Sequence, residues 1–194
     1  RHVIQEHGAT VLNFISGPLA NPEALTRYNA FRKVMDENRL RIDPRRIYYG
    51  TFRQQDGKAA IEEFALSGMK LPDAFICAND AMALTAVSAL EKLGYRVPND
   101  VIVTGFDCTY NARNFTPSLT TVKRPLTMAG KTACATLAKI FSGGNPEKII
   151  TLDAHAVFAE SCGCKDSSSD DFIEYKKNTY NHLESINTNL SLLN

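Results

Sequence analysis

The sequence predicts a doubly wound α/β fold built on a parallel sheet, and three observations predict it. Short apolar runs rich in β-forming residues alternate with helix-patterned stretches of about 10 to 15 residues. The runs are mostly apolar without strict alternation, as expected of strands covered on both faces. Each gives way to loop-forming residues before the next helix begins, which is the pattern of right-handed crossover units.

Taken in order, residues 10–16 read as a buried strand ending at Gly17-Pro18. Asn21 is a plausible N-cap with Pro22 at the first helical position, and Tyr28, Phe31, Val34 and Met35 recur at helical spacing as far as Glu37. Residues 47–49 read as a strand, 55–66 as a helix, 74–78 as a buried strand, 80–93 as a long helix and 101–103 as another strand. After Pro117 the pattern loosens into residues 119–122, a helix from about 126 to 141 that stops at Gly143-Gly144, and two closing strands at 149–152 and 156–158. In doubly wound sheets ligands bind outside the carboxyl ends of the strands, so the loops opening at Ser16, Gly50, Ala78 and Gly105 are expected to meet at one edge.

Composition narrows the function. Lys+Arg 22 against Asp+Glu 21 gives a formal net charge of +1, without the basic excess that drives binding to a phosphate backbone. Five cysteines, an odd number lying mostly in apolar runs, fit reduced thiols and a cytoplasmic setting better than a disulfide framework. Cys162-Gly163-Cys164 is too closely spaced for a zinc half-site, and His2, His7, His155 and His182 have no ligand spacing toward it, so no metal and no cofactor are expected. No phosphate loop, nucleophile elbow or dinucleotide fingerprint occurs, which argues against an enzyme. No stretch approaches the roughly 18 to 20 apolar residues of a membrane span. The first residue is not methionine, and the chain reads as part of a longer protein.

The segment Pro72-Asp73-Ala74-Phe75-Ile76-Cys77-Ala78-Asn79-Asp80-Ala81-Met82-Ala83, then Leu93-Gly94-Tyr95-Arg96-Val97-Pro98-Asn99-Asp100-Val101, Thr104-Gly105-Phe106-Asp107 and Phe115-Thr116-Pro117-Ser118-Leu119-Thr120-Thr121-Val122, resembles the effector domain of the lactose-repressor and purine-repressor family. Phe14-Ile15-Ser16-Gly17-Pro18 and Arg27 ahead of Phe31 extend the resemblance to about residues 1–164. It implies a type I periplasmic-binding-protein architecture of two lobes around a ligand cleft. This chain would hold mainly the C-terminal lobe (8–122), a return into the N-terminal lobe (123–152) and a closing strand (153–164). It also implies a homodimeric sensor for a small-molecule effector, sugar or nucleoside-like, that meets DNA only through a domain outside this sequence.

The resemblance places five residues at the ligand. Arg27 can present a fork of donors, though a helix arginine can also be merely solvated. Asp107, just past a strand, can accept from vicinal hydroxyls or a ring N–H, or stabilise its own loop. Asn79 faces ligand in the family while Asp80 is structural, and either serves as an N-cap by helix chemistry alone. Phe52 occupies the place of a ring that stacks on a sugar or purine, or it belongs to the lobe core. Glu23 falls at a cleft-lining position where the purine-binding member would carry a small or basic residue, which disfavours an anionic effector. Residues 165–194 read as a linker and a polar helix. The helix either couples the sensor to an output such as a diguanylate cyclase or histidine kinase, or is an unstructured end. A periplasmic solute receptor is the contrasting alternative.

Overall fold

The computed structural model describes residues 1–165. Its centre is a parallel sheet of four strands, β1 (Leu12–Ser16), β2 (Ile47–Tyr49), β3 (Ala74–Cys77) and β4 (Ile102–Thr104), in the order β2-β1-β3-β4. All five residues of β1 are buried, the polar Asn13 and Ser16 together with Leu12, Phe14 and Ile15, as expected of a strand covered on both faces. The register pairs Phe14 with Ile47 on one side and with Ile76 on the other.

The helices follow from local chemistry. Helix α1 (His2–Gln5) precedes the sheet, and α2 (Pro22–Glu37) links β1 to β2. The Asn21 side chain accepts from the Glu23 and Ala24 amides, and Pro22 stands where no intrahelical donor is needed. Helices α3 (Gln54–Leu66) and α4 (Asp80–Lys92) connect β2 to β3 and β3 to β4. A Cβ on Gly57 would meet the Met82 carbonyl oxygen at 1.9 Å, so α3 can lie this close to α4 only with glycine there. The chain steps from β1 to β2 in one direction and from β2 past β1 to β3 in the other. With right-handed crossovers this puts α2 on one face and α3 and α4 on the opposite face. The reversal falls between β1 and β3, and the crevice at their carboxyl ends is the topological switch point. Phe14 stacks on Phe31 of α2 at 4.8 Å on one side of the sheet, and Phe64 of α3 meets Phe75 edge-on at 5.5 Å on the other.

Beyond β4 come α5 (Tyr110–Arg113), β5 (Thr121–Lys123), α6 (Leu126–Phe141) and β6 (His155–Val157). Parallel bridges Thr104 to Thr120 and Asp107 to Lys123 lay β5 beside the end of β4, and β6 pairs antiparallel with β5. The fold class expected from the sequence therefore holds for the four-stranded sheet, while the closing ribbon departs from parallel order. The strand expected at 149–152 does not form: no strand among the described residues pairs with it, and Ile149 is 83% exposed. Helices α1 and α5, at four residues each, are too short to show a helical period and were not expected. None of the residues of α6 is buried. From residue 166 onward, the expected linker and polar helix lie outside the described residues.

Candidate ligand-binding cleft

The four loops expected to meet at the carboxyl edge do so, and the backbone ties them together. The Gly50 amide donates to the Ser16 carbonyl (2.9 Å), the Ala78 amide to Ile15 (2.8 Å) and the Asp80 amide to Phe106 (2.9 Å). Buried Asp56 accepts from the Thr51 and Arg53 amides at 2.6 and 3.0 Å, folding the turn that carries Phe52. Phe52 sits at φ +67, and its ring lies so close to Gly17 that any Cβ there would be 2.4 Å from it.

Arg27 rises from α2 into the switch point. Its Nη1 donates to the Ala78 carbonyl at 2.7 Å and its Nη2 to Glu23 Oε2 at 2.7 Å, while the guanidinium lies 4.0 Å from the centre of the Phe106 ring and 5.4 Å from that of Phe52. Burial lowers its pKa and the Asp107 and Glu23 carboxylates oppose that. A guanidinium held between two rings and two acceptors is fixed in place before any ligand arrives.

Asp107 sits at φ +114, an unusual backbone state for a residue with a side chain, followed by Cys108 at φ +55. Its Oδ1 accepts from Arg124 Nη1 at 3.4 Å, and Arg124 also lies 3.8 Å from Glu23. Glu23, Arg27, Arg124 and Asp107 thus form an alternating charge cluster whose formal charges cancel. Asn79 caps α4 by accepting from the Met82 amide (2.9 Å), and its Nδ2 donates to the Phe52 carbonyl (2.9 Å). Both ends of that amide are engaged within the protein, so Asn79 shapes the cleft wall. Asp80 is fully buried, accepting from the Thr109 amide at 2.7 Å and the Thr121 hydroxyl at 2.6 Å, and burial raises its pKa against those hydrogen bonds. It anchors the loop that presents Phe106 and Asp107.

Sequence reasoning placed Arg27, Asp107, Phe52, Asn79 and Glu23 at one site, and the structure brings all five to this edge. It missed Arg124 and Phe106. Both stand at strand ends, Phe106 after β4 and Arg124 after β5, and that position in a doubly wound sheet was the available signal. A partly open, mostly apolar cavity of about 340 Å³ lies beside the cleft between α2 and the sheet, lined by Phe14, Phe31, Met35 and Ile76 among others. Of the five expected residues it touches only Arg27, so the polar chemistry sits at the cleft and not in this cavity. His2 and His7, at the start of the chain, lie together with Cys162 and Cys164, at the end of the described residues, although the four have no ligand spacing in the sequence.

The periplasmic binding protein-like domain family matches residues 3–162. The chain belongs to that family. Within it, the chain is part of an effector-binding domain of the lactose-repressor and purine-repressor type. It is 38% identical over 133 residues to the HTH-type transcriptional repressor PurR of Haemophilus influenzae, a match covering 69% of this chain and 39% of that repressor. Among solved structures it is similar to the Lac repressor bound to ONPG in the repressed state (TM-score 0.75, 26% identity, 82% of this chain and 48% of that one). It is also similar to the transcriptional regulator CelR in complex with cellobiose (TM-score 0.74, 28% identity, 81% and 48%). The chain spans less than half the length of these relatives. Among the described residues no helix is long and apolar enough to cross a membrane.

Proposed function

We propose that this chain is the sensing region of a cytoplasmic, dimeric transcriptional regulator that takes a neutral, hydroxyl-rich metabolite, a sugar, in the cleft and so controls DNA binding by another part of the protein. The observation that carries the reading is the charge-balanced Glu23, Arg27, Arg124 and Asp107 cluster beside the Phe52 and Phe106 rings. Alternating donors and acceptors suit vicinal hydroxyls, which need both, and the ring faces suit the apolar face of a pyranose. An anion would have to displace a carboxylate from each arginine. The similarity to a regulator complexed with cellobiose supports a sugar, whereas the PurR relatives keep a purine as the competing outcome.

Binding would act by population shift, the ligand favouring one arrangement of the cleft over another. The test is calorimetric titration and thermal shift of the full protein with neutral sugars, sugar phosphates and purines. A saturable response to a neutral sugar, weakened about 10- to 100-fold in Arg27→Ala, is expected, since charge-assisted hydrogen bonds contribute about 1.5–3 kcal/mol. A response to purines alone would replace the sugar assignment, and unchanged affinity in Arg27→Ala would remove the site.

A further inference from the structure

Two segments far apart in sequence converge on one point. His2 opens α1, and His7 follows that helix just before Gly8 turns the chain at φ +66. Cys162 ends a 3-10 turn (Glu160–Cys162), and Gly163 at φ +92 swings the chain so that Cys164 faces the same way. The two Nε2 atoms are 3.1 Å apart. His2 Nε2 lies 3.3 Å from Cys164 Sγ and 3.7 Å from Cys162 Sγ, and His7 Nε2 lies 3.5 Å from Cys164 Sγ. All four ligand atoms fall within 4.8 Å of one another. The His2 ring is held in its plane by stacking on Phe158 at 3.7 Å.

We propose that His2, His7, Cys162 and Cys164 form a zinc site. Zinc–nitrogen and zinc–sulfur bonds of ordinary length at tetrahedral angles set the edges of the ligand tetrahedron. These are about 3.4 Å between nitrogens, 3.6 Å from nitrogen to sulfur and 3.8 Å between sulfurs. The four distances above lie within about 0.3 Å of these edges. Two imidazoles and two thiols are the donor set that tetrahedral zinc takes, and hard oxygen-seeking cations do not. Four protein ligands leave no open position, so the site is structural and not catalytic. The Cys162 thiol, which donates to the Ala159 carbonyl at 3.3 Å, gives up its proton on binding, as does Cys164. The bound ion clamps the segment ahead of β1 to the turn after β6, at the point from which residues 166–194 continue.

The test is metal analysis of the untagged full protein, with cobalt(II) titration of the thiol-reduced form. One zinc per chain is expected, together with a cobalt spectrum carrying thiolate charge-transfer and intense tetrahedral d–d bands that zinc abolishes. Cys164→Ser and His7→Ala should each weaken cobalt binding by at least about 100-fold, because even residues that only support a ligand account for 10- to 100-fold. Cys134→Ser, at an exposed thiol on α6, should leave it unchanged. No metal uptake by the reduced wild type overturns the proposal. Undiminished binding in both ligand variants does so too.

Discussion

Asp107 holds a backbone conformation that costs an ordinary side chain free energy, with φ at +114 and a second left-handed residue behind it. Such states cost on the order of 1–3 kcal/mol and persist where the surroundings over-determine them. Here the Asp107 amide is pinned to the Val122 carbonyl at 3.0 Å, and the carboxylate reaches Arg124. Asp107→Gly should therefore be more stable than Asp107→Ala by about 1 kcal/mol in denaturant unfolding, because glycine takes this conformation freely and alanine does not. Both should lose ligand affinity. Equal stability of the two variants would mean that the backbone relaxes when the carboxylate is gone.

Asp80, next to that loop, gives a pH signature. Burial raises its folded pKa above the ordinary 3.8, so between that value and the raised one the folded protein binds more protons than the unfolded chain. By the linkage relation, this residue's contribution to stability falls as pH rises through the interval. Asp80→Asn cannot titrate and loses nothing over the same range. The melting temperature of the variant minus that of the wild type should thus increase from pH 4 to pH 7, and a difference independent of pH would place Asp80 at its unfolded pKa.

At the scale of elements, the close approach of α3 to α4 fixes where α4 begins, and with it Asn79 and the wall of the cleft. Gly57 sets that approach, since a Cβ would collide with the Met82 carbonyl and the Thr85 hydroxyl. Gly57→Ala should cost about 1–3 kcal/mol, the range of an overpacked core, and weaken ligand binding through displacement of α4. Thermal unfolding and titration on the same sample check both effects. Elements with strong local signals were legible in the sequence. Asn21-Pro22 starts α2 where the N-cap pattern puts it, and β1, β2, β3 and α4 fall within a residue or two of their expected limits. The segment 149–152 has the composition of a strand, but a strand exists only with a partner to pair with, and composition carries no information about partners.

At the scale of the whole molecule, the strand order decides what the residues can do. Arg27, Phe52, Asn79 and Asp107 are separated by dozens of residues, and the reversal between β1 and β3 gathers them at one edge. A cleft whose charges cancel should bind its neutral ligand with little dependence on ionic strength, whereas an anionic effector would show the steep decline of a screened ion pair. The salt dependence of the titrations proposed above therefore separates these ligand classes without a structure of the complex.

The sequence by itself determined the α/β class and the order of strands and helices from β1 to β4, because apolar periodicity and capping residues are local properties written along the chain, and its ordered motifs carried the family resemblance that pointed to five residues the structure brings to the cleft edge. Only the tertiary structure decided that Asn79 spends its amide on the cap and on Phe52, that Arg124 completes the charge cluster, and that β6 runs antiparallel to β5. It also brought His2 and His7 to within hydrogen-bonding distance of Cys164, across more than 150 residues of chain. Each of these is a through-space relation between parts of the chain, set by how strands pair and helices pack on a twisted sheet, and spacing along a sequence does not encode it.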